Sequence, residues 1–378
     1  MDSHGGMLSM RLIDMHCDTL TALMAHPELG TLEKNSMSVD MERLKSHEAA
    51  LQFFACFVHL EAFKRPEGAG EDPGSGVTGP WDLDAAYAYT CSVLDFYEES
   101  TRRAGALPIR TVRDLKAWAG ADICVPLADS GVPAACGDRV NNGPMDQAAC
   151  GDRVLPPAVA TLLTVEEGGM IAGKMDRLRH FYDQGVRLLT LTWNFDNCMG
   201  HPNSRDPKRM GLGLTPFGFA VVEEMSRLGM VVDVSHLSDG GFMDVARTVR
   251  GPFVASHSNA RALCGHPRNL TDEMLRILAE HGGVTGLNFC PAFLHEKDGC
   301  TVAAMVRHIS HIINVAGEDV MAIGTDFDGI SGDLEIPHTG KLELLYDALA
   351  QSGMTARVID KIFFGNAMRV LTEVLPEA

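Results

Sequence analysis

Eight short runs of apolar and β-branched residues recur along the chain, and most are followed by a segment with helically spaced apolar positions. The runs predict strands at 11–16, 51–60, 160–166, 187–193, 231–236, 253–257, 283–289 and 320–326. Amphipathic patterns predict helices at 81–104, 174–184, 216–228, 240–249, 272–281, 301–315, 341–351 and 355–374. Strands that are apolar on both faces and alternate with helices are typical of a parallel sheet covered by helices. Eight such units predict an α/β fold, a closed (β/α)8 TIM-like barrel.

Two segments depart from this repeating unit. Residues 65–80 are rich in glycine and proline, which predicts a surface loop. Residues 121–158 contain the heptapeptide AACGDRV twice, at 134–140 and at 148–154. A small repeated binding motif is one interpretation, but one duplication is far short of a repeat architecture. We therefore predict a single domain, 1–378, with expanded loops at 61–80 and 121–158.

Composition and charge limit the classes of protein to which this chain can belong. Apolar residues make up 46% of the 378 residues and charged residues 22%, as in a globular protein with a large core. The formal charge of −18 argues against nucleic acid or an anionic membrane as the main partner. No signal peptide is recognisable and no apolar run is long enough to cross a bilayer, so we expect a cytoplasmic protein. The ten cysteines are scattered without a CxxC pair, which favours reduced thiols.

Polar side chains end most of the predicted strands. In a (β/α)8 barrel the active site gathers at the carboxyl ends of the strands. The residues found there are His16 with Cys17 and Asp18, Glu166 with Glu167, His236, His257, and Asp326 with Asp328 close behind. Imidazole nitrogen and carboxylate oxygen are good ligands for zinc. The pattern therefore predicts a divalent metal site at this rim.

Each of these residues has a simpler explanation when taken singly. A buried histidine is more often a hydrogen-bonded core residue than a ligand, and Asp18 or Asp326 could cap the next helix. Three histidines at one rim are not explained in that way. His16 and Asp18, two residues apart, could hold one ion, and a neighbouring pair of histidines a second. A carboxylate would then be needed between the ions, and strand alternation lets only one of Glu166 and Glu167 face them.

The ordered motifs LIDMHCDTL, EEGG, LTLTW, GLTPFG, DVSHLS, SHSNAR, HPRNL and GTDFDG resemble the membrane or renal dipeptidase family. These are the M19 metallopeptidases of the amidohydrolase superfamily. The resemblance extends from about Arg11 onward and is weakest across 61–158. It implies a barrel of the metal-dependent amidohydrolase type that carries two zinc ions per chain and hydrolyses dipeptides.

Carried over by position, the resemblance assigns a role to each rim residue. It makes His16 and Asp18 ligands of one zinc ion, and His236 and His257 ligands of the other. Matching the LTLT strand without a gap selects Glu166 as the bridge between the ions, whereas anchoring on the two glycines would select Glu167. The resemblance also makes Asp326 the acid and base beside a hydroxide that bridges the metals, and Arg268 the group that binds the substrate carboxylate.

The chain departs from the family pattern after the LTLT strand. Better-known members have a histidine there that contacts the substrate, whereas this chain has Trp193 followed by Asn194. Tryptophan offers only an N–H donor, so polarisation of the scissile carbonyl would fall to Asn194 or to zinc alone. We expect both residues to contact the substrate.

Three functions are consistent with these residues. The leading one is a dipeptidase, which could accept a D-residue at the carboxyl-terminal position, as the family often does. The others are an amidohydrolase of N-acyl-D-amino acids or cyclic amides, and a non-catalytic binding protein on a retained barrel. Family members often form homodimers, so the resemblance also allows that state.

Overall fold

In the described part of the chain, a parallel sheet of nine strands forms the centre of the protein. The computed structural model describes residues 8–65, 80–120, 159–295 and 299–378. The strands are β1 Leu8–Asp14, β2 His47–Phe57, β3 Leu107–Pro108, β4 Val159–Glu166, β5 Val186–Thr190, β6 Val231–Asp233, β7 Val254–Ala255, β8 Val284–Leu287 and β9 Met321–Ile323. The second predicted loop with its duplicated heptapeptide, and residues 66–79 of the first, lie outside the described residues.

Eight of these strands close into a barrel. Their order around it is β1, β2, β4, β5, β6, β7, β8 and β9, and β9 pairs again with β1. Closure depends on the pairing of β2 with β4, which runs in register from Ala50 opposite Val159 to Phe57 opposite Glu166. The short β3 pairs with the first half of β4, outside the ring. The predicted (β/α)8 barrel is confirmed.

Helices surround the barrel. They are α1 Thr19–Ala25, α2 Met41–Leu44, α3 Leu83–Ala104, α4 Val112–Ala119, α5 Met175–Asp183, α6 Pro207–Met210, α7 Pro216–Leu228, α8 Asp239–Thr248, α9 Asp272–Glu280, α10 Pro291–Leu294, α11 Val302–Ala316, α12 Glu343–Gln351, α13 Ala356–Asp360 and α14 Asn366–Val374. Turns of 3-10 helix lie at Pro27–Leu29, Leu60–Phe63, Gly169–Ile171 and Thr339–Lys341, and a π-helical turn, Lys361–Gly365, joins α13 to α14.

Hydroxyl side chains set the start of many of these helices. Each accepts a hydrogen bond from a backbone N–H in the first turn, which satisfies a donor that has no partner inside the helix. The capping residues are Thr111, Thr215, Ser238, Thr271, Thr301 and Thr355. Among the described helices, none is both long and apolar enough to cross a membrane.

The strand ends differ from the prediction. The structure ends β1 at Asp14, β6 at Asp233 and β9 at Ile323, so the polar residues expected at the strand tips lie in the following loops. His236 and Asp326 have φ angles of +67° and +62°, which no strand residue adopts. The sequence pattern also missed the short strand β3 and the helices α1, α2, α4, α6 and α10.

Candidate metal centre and substrate cavity

A cavity of about 900 Å³ opens at the carboxyl ends of the barrel strands. Most of the residues predicted to carry the chemistry line it. They are Asp18, Glu166, Trp193, Asn194, His236, Arg268 and Asp326. His16 and His257 are each 1% exposed and lie beneath its floor, in contact with Glu166. The barrel therefore brings all nine predicted site residues to one place.

Glu166 lies at the centre of this group. Its Oε2 is 3.4 Å from Nε2 of His16, while its Oε1 is 3.1 Å from Nε2 of His236 and 3.4 Å from Nε2 of His257. The Nε2 atoms of the last two histidines are 3.1 Å apart. One carboxylate thus presents one oxygen to His16 and the other oxygen to the remaining two imidazoles.

Asp18 and Asp326 approach the same ring nitrogen of His16 as Glu166 does. Nε2 of His16 is 3.7 Å from Oδ2 of Asp18 and 3.8 Å from Oδ1 of Asp326. These three residues can offer one ligand atom each within 4.8 Å of one another, and so can His16, Glu166 and His257. The cluster has the donor atoms and spacing that a metal ion requires.

Several of these buried polar atoms have no hydrogen-bond partner. Within the described ranges they include both ring nitrogens of His16, Oδ1 of Asp18 and Oε1 of Glu166. An unpaired buried polar atom costs about 1–3 kcal/mol, so a group of them indicates a partner that the protein itself does not supply. Asp18 precedes α1, yet its side chain accepts no capping hydrogen bond. The residues fit bound divalent metal better than they fit a capping or core role.

The backbone around the cluster is held in unusual conformations. His236 and Asp326 both adopt left-handed φ angles, which are costly for residues other than glycine and concentrate at functional sites. Gly329 approaches the two aspartates so closely that a Cβ atom there would lie 2.9 Å from Oδ1 of Asp326 and overlap Oδ2 of Asp18. The loop after β9 therefore needs glycine at this position.

Glu167 points away from the cluster and is fully buried. Its Oε1 accepts hydrogen bonds from the backbone N–H of Gly169 (2.6 Å) and from Nδ2 of Asn197 (2.7 Å), and its Oε2 accepts one from the N–H of Trp193 (2.9 Å). Burial raises the pKa of Glu167 to about 7. A Cβ on Gly169 would lie 2.6 Å from Oε1, so this glycine makes room for the carboxylate. Glu167 ties the loop after β4 to the loop after β5.

His257 and His236 are oriented by polar neighbours. Nδ1 of His257 is 2.7 Å from Oγ of Ser256, which donates to Oδ2 of the buried Asp233 at 2.6 Å. Nδ1 of His236 lies 3.3 Å from Oδ1 of Asn194. Contacts of this kind fix the tautomer and ring orientation of metal-binding histidines. Asp233 was not predicted as a site residue, although a charged residue inside the apolar run VVDVSH could have indicated one.

Asn288 holds the carboxylate of Asp326. Its Nδ2 donates to Oδ2 of Asp326 at 2.8 Å and to the carbonyl oxygen of His257 at 3.1 Å. Burial raises the pKa of Asp326 to about 7, and the nearby carboxylates of Asp18 and Glu166 add to that shift. Asn288 was not among the predicted site residues, although it too follows an apolar run.

The pKa of His16 shifts in the opposite direction from the pKa values of His236 and His257. Burial lowers the pKa of His236 to about 4, assisted by the positive charge of Arg268, and burial also lowers the pKa of His257 well below its ordinary value. For His16, burial acts in the same direction, but the negative charges of Glu166 and Asp18 outweigh it and raise the pKa. Neutral imidazole is the form that binds metal, so His236 and His257 are already in the ligating state near neutral pH.

Arg268 is a buried cation on the cavity wall, 5% exposed. Its Nη1 donates to Oγ of Ser258 at 3.3 Å and its Nη2 to the carbonyl oxygen of His257 at 3.4 Å, while Phe293 packs against the guanidinium. Among the residues that the structure describes, its Nε has no hydrogen-bond partner, and no carboxylate lies within ion-pair distance of the guanidinium. A buried charge normally has a counter-ion. Arg268 is therefore suited to receive an anionic group in the cavity.

Comparisons with known proteins agree with this geometry. Residues 150–376 match the family described as membrane dipeptidase, peptidase family M19. An uncharacterised protein from the region 5′ of pqqA in Klebsiella pneumoniae is 40% identical over 233 residues, which covers 59% of this chain and 83% of that protein. A protein named dipeptidase aclJ of Aspergillus oryzae is 33% identical over 222 residues, 58% of this chain but only 52% of the relative's length.

Solved structures extend the likeness to the whole fold. A metallopeptidase of family M19 named dipeptidase AC superposes with a TM-score of 0.76 and 26% identity, over 98% of this chain and all of that one. A metallopeptidase from Rhodobacter sphaeroides, solved with a phosphinate mimic of the dipeptide L-Ala-D-Ala, gives a TM-score of 0.75 and 25% identity, over 97% and 99% of the two chains. The barrel, the cluster of imidazole and carboxylate groups and these matches lead to one conclusion: the chain belongs to the membrane dipeptidase family, peptidase family M19.

Proposed function

We propose that the protein is a zinc-dependent dipeptidase that binds two zinc ions per chain. The observation that carries this proposal is the combination, in one cavity, of unpaired imidazole and carboxylate atoms with a buried arginine to which the described residues offer no counter-ion. The unpaired imidazole and carboxylate atoms are suited to bind metal ions, and the arginine is suited to bind the carboxylate of a short peptide. A dipeptide presents its scissile bond and its terminal carboxylate only a few atoms apart.

Five residues would hold the metal. We assign His16 and Asp18 to one ion, and His236 and His257 to the other, with Glu166 between them. The opposite directions of the two Glu166 oxygens support the bridging role, because each faces a different imidazole group. When bound, paired zinc ions polarise a carbonyl group and lower the pKa of water towards neutrality.

Asp326 would move the proton. Asn288 holds its Oδ2, and its Oδ1 faces the cluster beside His16. A carboxylate held in this way can take a proton from the attacking water at Oδ1 and deliver it to the leaving amine. The hydrogen bond from Asn288 keeps the carboxylate from rotating away during that exchange.

Arg268, Trp193 and Asn194 would position the substrate. The planar guanidinium of Arg268 can bind a carboxylate through two parallel hydrogen bonds, which would also select for short peptides. Asn194 directs Oδ1 at His236, so its amide N–H groups are the donors that it can present to the substrate carbonyl. The ligand of the Rhodobacter sphaeroides structure mimics a dipeptide with a carboxyl-terminal D-alanine, and we propose that this chain accepts D-residues there as well.

The decisive experiment is hydrolysis of a mixed library of L,L- and L,D-dipeptides by zinc-loaded protein. We expect Asp326→Asn to lower kcat by about 100- to 10,000-fold while the zinc content stays unchanged. Asp347→Asn, an exposed carboxylate on α12, is the matched control and should behave like the parent. Full activity in Asp326→Asn would contradict the acid and base assignment.

The same library separates the competing functions. N-acyl-D-amino acids and cyclic amides should be added to it, and hydrolysis confined to those compounds would refute the dipeptidase proposal. Metal analysis addresses the non-catalytic alternative. Fewer than two tightly bound ions per chain, after refolding with zinc, would favour a binding protein.

A further inference from the structure

One side of the cavity is formed by aromatic rings that the reaction itself does not require. Phe57, His59 and Trp193 all line the cavity, and we call this trio the aromatic wall. The Trp193 ring contacts Phe57 edge-on at 4.9 Å between centroids and 64° between planes, and His59 at 5.1 Å and 86°. Phe195 lies behind Trp193 at 5.7 Å. The rings therefore pack against one another in a continuous cluster.

Backbone pairing places the wall beside the metal cluster. Phe57 ends β2 and pairs with Glu166 at the end of β4, while β5 pairs with β4 on the other side through Thr190, three residues before Trp193. Trp193 also lies 6.1 Å from the ring of His236. Any group held against these rings would therefore be next to the scissile bond.

Arg268 lies on the opposite side of the mouth. It follows β7, and β7 is four strands from β2 in either direction around the eight-stranded ring. A dipeptide whose carboxylate is bound by Arg268 and whose scissile bond lies over Glu166 therefore extends its amino-terminal residue towards β2. That residue meets Phe57, His59 and Trp193.

The wall presents apolar ring surface to the cavity. Phe57 and Trp193 are only half-buried, and His59 is exposed. A flat apolar side chain placed there would remove this surface from water and gain edge-to-face contacts. A methyl side chain would leave most of it uncovered.

We propose that the aromatic wall is the subsite for the amino-terminal side chain of the substrate and that it selects large, flat apolar side chains over small ones. This inference rests on the proposed function, because the assignment of Arg268 to the carboxylate sets the direction of the substrate. It adds a preference that neither the metal cluster nor Arg268 determines.

The test compares two dipeptides that share carboxyl-terminal alanine and differ in the first residue, phenylalanine or alanine. In the zinc-loaded parent, kcat/KM should be at least about tenfold higher for the phenylalanyl substrate. Trp193→Ala should reduce that ratio about tenfold, and Trp193→Phe should restore most of it because a flat ring returns. Phe57→Leu is a second variant in case Trp193→Ala folds poorly. Tyr346→Ala, a half-buried ring that packs on Phe363 outside the barrel, should leave the ratio unchanged.

A binding measurement makes the two proposals separable. Two phosphinate dipeptide analogues, with benzyl or methyl as the amino-terminal side chain, are titrated calorimetrically into zinc-loaded protein. Tighter binding of the benzyl analogue, lost in Trp193→Ala, supports the wall even if no dipeptide is hydrolysed, a result that would overturn the dipeptidase proposal alone. Equal binding of both analogues, binding of neither, or a kcat/KM ratio that Trp193→Ala does not change would overturn the aromatic subsite.

Discussion

At the scale of single residues, the neighbouring glutamates have separate environments. Glu166 faces three imidazoles, and Glu167 accepts three hydrogen bonds from the protein. Strand alternation predicts that they point in opposite directions but does not say which one faces the cluster. The neighbours that decide this come from the loops after β1, β6 and β7, far away in sequence.

Exchanging each glutamate for glutamine should give opposite results. Glu166→Gln removes the negative charge shared by both metal groups, so zinc content measured by mass spectrometry should fall together with activity. Glu167→Gln should keep its zinc but unfold more easily by about 1–3 kcal/mol, because one amide N–H would face the donor of Trp193. Loss of zinc in Glu167→Gln alone would reverse the assignment.

Gly329 offers a test that leaves every predicted ligand in place. A Cβ at this position would overlap the Asp18 carboxylate, so Gly329→Ala should displace that side chain. We expect zinc affinity, measured by competition with a chromogenic chelator, to fall about 10- to 100-fold. Gly265→Ala is the matched control, since a Cβ there would meet open space. Unchanged affinity in Gly329→Ala would mean that Asp18 is not a ligand.

At the scale of elements, a buried histidine joins α11 to the loops around the cavity. Nδ1 of His308 accepts a hydrogen bond from the N–H of Ala260 at 3.1 Å, so Nε2 carries the proton and donates to the carbonyl oxygen of Leu294 at 2.8 Å. Burial lowers the pKa of His308 to about 4. Only the neutral ring can make both bonds.

This arrangement makes stability depend on pH in a defined range. The folded pKa lies below that of the unfolded chain, so the contribution of His308 is complete above about pH 6.5 and is lost as the pH falls towards 4. A difference of that size corresponds to about 3 kcal/mol. In denaturant titrations, His308→Leu should be less stable at pH 7 and should lose less stability than the parent between pH 6.5 and 4. Parallel pH profiles of the two proteins would contradict this role.

The elements were more predictable from the sequence than the site contacts. All eight barrel strands and the main helices follow from apolar runs and helical spacing. The predicted strands extend too far towards the carboxyl terminus, because each apolar run continues into the following loop. In those loops His236 and Asp326 no longer have the extended conformation of a strand. β3 has only two residues, too few for any periodicity.

The candidate site, too, could be predicted from the sequence only in part. Its chemical groups stand out because polar residues interrupt apolar runs in the sequence. Asn288 and Gly329 were not predicted as site residues. They matter because they lie close to Asp326 and Asp18, and these residues come together only when the barrel closes.

At the scale of the whole molecule, metal and folding should be coupled. The five proposed zinc ligands and Asp326 lie on β4 and on the loops after β1, β6, β7 and β9, so ions bound there would connect five parts of the barrel. At free zinc about 100-fold above its Kd, binding should add about 2.7 kcal/mol to the free energy of unfolding. Calorimetric scans should show a higher Tm with zinc than with a chelator, and a smaller difference for Glu166→Gln. A Tm independent of zinc in the parent would argue against metal at this cluster.

The closure of the barrel by β2 and β4 limits how far the chain can be shortened. The family match covers residues 150–376, which include Glu166, both later histidines, Arg268 and Asp326 but lack β1 and β2. A fragment cut at that boundary would have an open sheet, with β4 and β9 as bare edges. Such edges pair with other chains. We expect light scattering to report aggregates of this fragment, so the region richest in chemical groups cannot serve as a minimal enzyme.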